Sequence, residues 1–290
     1  MKKRSGAYEL HSFESIDPTA CHASAHPQKH ETTVAFSIQD TEEEPRSTVT
    51  SAEISTRHLR RLGTSASDYL GNKVTAAVIT VPTNFSDAHK DALRASAKDA
   101  GIEVLEFIAE PVAALLAYDA RPGITATDKI VVVADFGGTR SDVAILASRG
   151  GIYTILATEH DYSLGGVQLD QILIDHFAKE FIKKHKTDPR QHERSHAKLK
   201  FESENTKKAL SLGTSAALSV ESLADGRDFS STINRTRFEL LSGRTFGQFS
   251  RLIQSAIDKS GLDVLDIDEV RLFALAHGCC NHGSSTKPLL

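Results

Sequence analysis

Apolar residues in this chain follow two rhythms. Short unbroken runs rich in valine, at 74–81 and 130–134, end at proline or at an acidic residue, the look of strands buried on both faces. Other stretches repeat at i, i+3, i+4, i+7, the spacing of a helix with one apolar face. The pattern predicts a helix over 51–70 with Ile54, His58, Leu59, Leu62 and Tyr69 on its inner face. A second helix runs from Ser86 as cap to Gly101 as stop. A short strand follows over 104–108, and Glu110-Pro111 opens a helix over 112–118. Strand, helix, strand, helix within some fifty residues is an α/β unit.

The second half repeats the alternation. A hairpin over 130–146 and a strand over 153–158 lead into an amphipathic helix carrying Leu169, Ile172, Leu173, His176, Phe177 and Phe181. A heavily charged helix spans 195–212. Strands over 216–223 and 229–233 flank Asp225-Gly226, a hairpin signal. A long helix over 236–259 has Phe238, Leu241, Phe246, Leu252 and Ile253 as its core positions, and a last strand is expected at 268–275.

The two ends lack this order. Residues 1–50 are polar and His-rich, with one strand expected at 34–38 and otherwise loop. Cys21, His22, His26 and His30 match no zinc spacing and read as loose polar chain. So do His277, Cys279, Cys280 and His282 in an irregular tail over 277–290. The expected organisation is therefore a poorly structured segment 1–50, one α/β lobe over 51–125, a second over 126–276, and the tail.

Bulk composition narrows the class. Lys+Arg 34 against Asp+Glu 38 gives a net charge of -4, so nucleic acid is not expected as the main ligand. Three cysteines make no disulfide framework, which fits a reducing compartment, and a cytoplasmic location is expected. No run approaches the ~20 apolar residues that cross a bilayer, and no membrane partner is expected.

The stretch that carries chemistry is Ile130-Val-Val-Val-Ala-Asp-Phe-Gly-Gly-Thr-Arg-Ser-Asp142. Glycines at 137 and 138 let the backbone turn tightly with its N–H groups toward an anion. An acidic residue at the strand end, Asp135, suits a hydrated magnesium ion beside a phosphate. The other reading is an ordinary hairpin with a Gly-Gly turn.

Four separated stretches together resemble the seventy-kilodalton heat-shock (DnaK-type) chaperones. They are Ala77-Val-Ile-Thr-Val-Pro-Thr-Asn-Phe85, Ile108-Ala-Glu-Pro-Val-Ala-Ala114, the Asp135-Phe-Gly-Gly138 hairpin, and Leu164-Gly-Gly-Val-Gln-Leu-Asp170. Glu204-Asn-Thr-Lys-Lys-Ala-Leu-Ser211 resembles the family's adenosine helix, and Thr232-Ile-Asn-Arg-Thr-Arg-Phe-Glu239 the segment closing its small subdomain. The details are most similar to the atypical ribosome-associated (Ssz-type) branch. The resemblance implies an actin-like ATPase (ribonuclease H-like) fold, with a partial first lobe and most of the second, and with ATP and Mg as cofactors. It places Asp135 near the metal through water, Gly137, Gly138 and Thr139 on the phosphates, and Glu110 facing the metal-bound water. Gly165 and Gly166 pass beside ribose and phosphates, while Glu204, Lys207, Lys208 and Ser211 frame the adenosine.

Three departures temper that picture. Thr139 and Arg140 stand where the family has glycine and threonine, and Lys208 where it has arginine. Arg140 is expected to pair with a phosphate without orienting water, which argues against fast hydrolysis. The family's first phosphate hairpin is not found, and the chain is expected to be incomplete at both ends. The implied function is a degenerate nucleotide-binding domain, binding ATP without efficient hydrolysis. Its implied partners are a J-domain co-chaperone and the ribosome with its nascent chain. Alternatives are an active chaperone ATPase and a non-functional truncated product; a sugar kinase is the distant relative left over.

Overall fold

The computed structural model describes residues 27–30, 33–38, 47–123 and 127–273. Chain contacts divide into two compact units, one ending at Ala113 and the other beginning at Ala114. The cut falls ahead of the expected 125/126 border, so residues 114–123 group with the second unit.

In the first unit, β1 (Pro27–His30), β2 (Thr33–Ile38) and β3 (Ser47–Thr50) form an antiparallel sheet in that order. Only β2 was expected. Short polar strands carry almost no apolar signal, and pairing rather than side-chain pattern creates them. Helix α1 (Ser51–Leu70) has the expected bounds, because Thr50 and Glu53 form a reciprocal capping box and Gly71 closes it in the left-handed region.

The inner face of α1 differs from the expected one. Ile54, Leu62 and Tyr69 are exposed, Tyr69 by 90%. The partly covered side carries Ser55, Leu59, Gly63, Ala66 and Ser67. Small residues win that side because they allow close approach, and a Cβ at Gly63 would lie 3.0 Å from Ile102 Cδ1.

Strands β4 (Ala76–Val81) and β5 (Glu103–Ala109) pair in parallel, joined through α2 (Asp87–Asp99). This is the predicted βαβ unit, and Ser86 caps α2 by accepting from the His89 amide. Continuous burial of β4 is not observed. Val81 is buried but Val78 is 56% exposed, since a two-stranded sheet cannot be covered on both faces by one helix layer. Helix α3 (Glu110–Asp119) starts at the Glu-Pro pair as expected.

The second unit is built on β6 (Lys129–Phe136), β7 (Ser141–Arg149), β8 (Ile152–Asp161) and β11 (Glu269–Phe273). Sheet order is β11-β6-β7-β8, antiparallel except for the parallel β11–β6 pair. Long helix α6 (Arg235–Ser260) covers one face, where Val132, Ala134, Val143 and Ile145 meet Ala256 and Ile257. A second core joins α4 (Gly166–His185), α5 (Glu193–Leu212) and the hairpin β9 (Ser215–Ala224)–β10 (Arg227–Asn234). Phe177, Phe181 and Phe229 are its largest fully buried members, Phe229 meeting the other two edge to face. Asp225 and Gly226 both take positive φ, the demand of a primed hairpin turn.

A buried ionic cluster ties the end of α3 to the sheet. Lys129 lies 2.9 Å from Asp119 and 3.4 Å from Glu269, and the Tyr153 hydroxyl donates to Asp119 at 3.0 Å. No α-helix among the described residues is long and apolar enough to cross a membrane. The tail cysteines and histidines, with Cys21, His22, His26 and the side chain of His30, lie outside the described residues.

Candidate nucleotide site

Strands β6 and β7 run in register to the hairpin tip, where Asp135 faces Asp142 and Phe136 faces Ser141. The tip is closed by the Gly137 amide donating to the Arg140 carbonyl at 2.9 Å. Gly138 and Thr139 are exposed, and Asp135 is half-buried.

The tip is packed against the start of α4. The Gly166 amide donates to the Gly137 carbonyl at 3.0 Å and the Val167 amide to the Gly138 carbonyl at 2.9 Å. The buried Ser141 hydroxyl donates to the Leu164 carbonyl at 2.8 Å. These bonds bring two glycine pairs, distant in sequence, into van der Waals contact. Gly165 has extended backbone at φ −179°, so glycine is required there by proximity and not by torsion. A Cβ on Gly165 would meet the Gly138 carbonyl oxygen at 2.5 Å and that of Gly137 at 2.9 Å. A Cβ on Gly138 would meet nothing within 4 Å, which leaves its outer side open to a ligand.

Helix α5 supplies the adjoining face. Glu204, Lys207, Lys208 and Ser211 fall at i, i+3, i+4 and i+7, along one side. Their burial separates them: the Lys207 side chain is 4% exposed and that of Lys208 is 40%. Lys207 lies 2.7 Å from Asp170 and donates to the Gly166 carbonyl at 3.3 Å, so its ammonium links α5 to the first turn of α4. Lys208 pairs with Glu204 at 2.7 Å, and the Ser211 hydroxyl donates to the Lys207 carbonyl at 3.4 Å. The C-terminal turn of α5 is held by Arg235, which donates to the carbonyls of Leu210 at 3.0 Å and Gly213 at 2.9 Å.

Arg140, expected to pair with a phosphate, is engaged within the chain. Its guanidinium makes a two-pronged ion pair with Asp142 and stacks 5.0 Å from the centre of the Tyr162 ring. The position two residues away in an extended strand puts the carboxylate within reach of the fork, and fork geometry favours bidentate pairing.

Of the expected residues, Asp135, Gly137, Gly138, Thr139, Gly165 and Gly166 come together in the second unit, with Gly165 and Gly166 buried under the hairpin and Gly138 and Thr139 exposed. Glu204, Lys207, Lys208 and Ser211 adjoin them through the Lys207 link. Glu110 belongs to the first unit, exposed at the first position of α3. Asp170, Ser141, Asp142 and Arg235 were not singled out from sequence. Asp170 had a signal, since it lies four residues after Gly166 on the same helical face; Arg235 had none, because its partners are backbone carbonyls more than twenty residues away.

The sequence profile described as "Hsp70 protein" matches residues 12–274. The chain belongs to the heat-shock-70 family. Its fold is accordingly the actin-like ATPase fold of that family. "Ribosome-associated complex subunit SSZ1" of Saccharomyces cerevisiae is 50% identical over 261 residues, covering 90% of this chain and 48% of the relative. "Heat shock protein 70 homolog C57A7.12" of Schizosaccharomyces pombe is 45% identical over 274 residues, 93% of this chain and 48% of the relative. "Heat shock 70 kDa protein BIP3" of rice (Oryza sativa subsp. japonica) is 40% identical over 221 residues, 76% and 33% respectively. The chain thus spans about half the length, or less, of these heat-shock-70 relatives.

Domains of the heat-shock-70 family bind ATP with magnesium. The phosphate side of such a ligand fits the residues present, because the exposed Gly138 edge is side-chain-free. The metal side fits poorly, because Asp142, cross-strand from Asp135, is already paired with Arg140. Among the described residues there is no cluster of three or more His, Cys, Asp or Glu side chains able to hold a metal ion.

Proposed function

We propose that this heat-shock-70 domain holds an adenine nucleotide without turning it over efficiently, and works as a co-chaperone module at the ribosome. The observation that carries the nucleotide reading is the double-glycine contact, Gly137-Gly138 against Gly165-Gly166, with one glycine edge left open. In this reading Gly137, Gly138 and Thr139 receive the phosphates, and Gly165 and Gly166 border the ribose. Glu204, Lys208 and Ser211 frame the base, and Lys207 fixes their helix to the phosphate side. Phosphoryl transfer rests on positioning and charge stabilisation. Arg140, engaged with Asp142, supplies no group that orients a water, which supports slow hydrolysis.

The ribosomal half is supported by the relative at 50% identity, whose name is that of a ribosome-associated complex subunit. On this reading the protein works in the cytoplasm, with a J-domain co-chaperone and nascent chains as partners. Glu110 is proposed as a further nucleotide-site residue, and 125/126 as the sequence border between the lobes.

Two measurements test the proposal. Calorimetric titration of the chain with ATP is expected to give saturable binding, with phosphate release no faster than that of an Asp135→Asn variant. Robust multiple turnover would overturn it. Sedimentation through a sucrose cushion is expected to carry the protein with ribosomes; a wholly unbound fraction would remove the ribosomal half.

A further inference from the structure

We propose that Arg140 is a built-in counter-ion, which occupies the carboxylate end of the hairpin and makes nucleotide binding by this domain independent of a divalent cation. The inference rests on the reading that the hairpin receives nucleotide, and extends it to what must accompany the ligand.

The argument starts from strand register. Asp135 and Asp142 are directly opposed on antiparallel strands, so both carboxylates stand on one face of the sheet. Directly opposed like charges in a ladder are destabilising unless a cation lies with them. Two carboxylates side by side on one face are the oxygen-rich setting that a hard cation such as magnesium selects. Here the cation is covalent. Arg140 presents its guanidinium fork to both oxygens of Asp142.

That guanidinium is held from a second side. It stacks on Tyr162, whose own ring meets His160 edge-on at 5.2 Å. The turn carrying Tyr162 is braced by Asp161, which accepts from the Ser163 amide and hydroxyl, each at 2.7 Å. Arg140 and Asp142 side chains are both 25% exposed, so the pair is screened only in part. A guanidinium remains charged at every working pH and cannot dissociate as a bound ion does. A metal ion approaching Asp142 must therefore displace a tethered partner from both oxygens.

The test compares the native chain with Arg140→Ala, Arg140→Lys and the double variant Arg140→Ala/Asp142→Asn. ATP titrations are run with excess magnesium and with a chelator, and manganese binding is followed by electron paramagnetic resonance with no nucleotide present. The native affinity for ATP is expected to change less than twofold on removing magnesium, while Arg140→Ala loses tenfold or more. Manganese is expected to bind Arg140→Ala, and to bind neither the native chain nor the double variant. Arg140→Lys keeps the charge and is expected to exclude manganese as the native chain does, which guards against misfolding of the alanine variant. A tenfold fall in native ATP affinity without magnesium would overturn the proposal, as would manganese bound to the native chain and lost in the double variant. If no variant binds ATP, the nucleotide reading fails, and the manganese titration still decides: equal manganese binding with and without Arg140 refutes the counter-ion role.

Discussion

The Lys207 ammonium and the Asp170 carboxylate meet at 2.7 Å with both side chains at least 94% removed from solvent. One belongs to the helix proposed to frame the base, the other to the helix whose first turn supports the hairpin proposed to receive phosphate. Removing one member of a buried pair leaves the other charge uncompensated, at a cost of about 3–5 kcal/mol. Lys207→Met is expected to lower unfolding free energy by about that amount, measured by urea denaturation. Lys207→Met combined with Asp170→Leu is expected to recover most of the loss, because an apolar pair of similar volume needs no compensation.

The two sides of the glycine contact respond differently to one methyl group. Gly165→Ala drives a Cβ into the Gly138 carbonyl, and overpacking of this kind costs about 1–3 kcal/mol. Gly138→Ala has open space around its Cβ and is expected to leave the denaturation midpoint nearly unchanged. Its ATP affinity, read by calorimetry, is expected to fall at least tenfold, because the new methyl group stands on the edge proposed to receive phosphate.

Stability is expected to decline at both ends of the pH scale for different reasons. Burial alone would lower the pKa of Lys129, but its hydrogen bond to Asp119 and the charge of Glu269 outweigh that and hold it above the ordinary value. The folded chain then keeps a proton that the unfolded chain releases near ~10.4, so stability present below that pH is lost above it. Burial lowers the pKa of His176; Glu180 offsets this in part, and Arg237 and Lys179 add to it. The folded chain binds that proton less readily, so the contribution is present above ~6.5 and lost as pH falls. Urea midpoints between about pH 5 and 11 should show both edges. His176→Phe should flatten the acid side, and Lys129→Met should flatten the alkaline side on a less stable baseline.

Arg235 closes the last turn of α5, the helix proposed to frame the base, through three carbonyls, those of Leu210, Ser211 and Gly213. Arg235→Ala leaves these acceptors without the guanidinium, and charged hydrogen bonds of this type are worth about 1.5–3 kcal/mol together with their desolvation penalty. Affinity for ATP is expected to drop while affinity for tripolyphosphate, which has no base, is unchanged. Equal loss for both ligands would show that α5 does not act on the base.

Most elements were legible in sequence because their signals are local. Ser86 before an apolar-periodic run, Asp225-Gly226 between two strand-like runs, and Pro111 at a helix start each act within four residues. Helix bounds such as 51–70 followed from caps that two side chains and one glycine set by themselves. The family resemblance was legible for the same reason, since its motifs are short and contiguous.

The order of the elements, the Gly-Gly hairpin beside Asp135, and membership of an ATP-binding family could be read from residues adjacent in the chain. Only the tertiary structure decided which charges are engaged: Arg140 with Asp142 and Tyr162, Lys207 with Asp170, Lys129 with Asp119 and Glu269. It also decided that α1 turns its small residues inward and leaves Ile54, Leu62 and Tyr69 exposed. The reason is physical. A capping or turn signal depends on neighbours along the chain, whereas the partner of a long charged side chain, and the face a helix buries, depend on what folding brings beside it from far away.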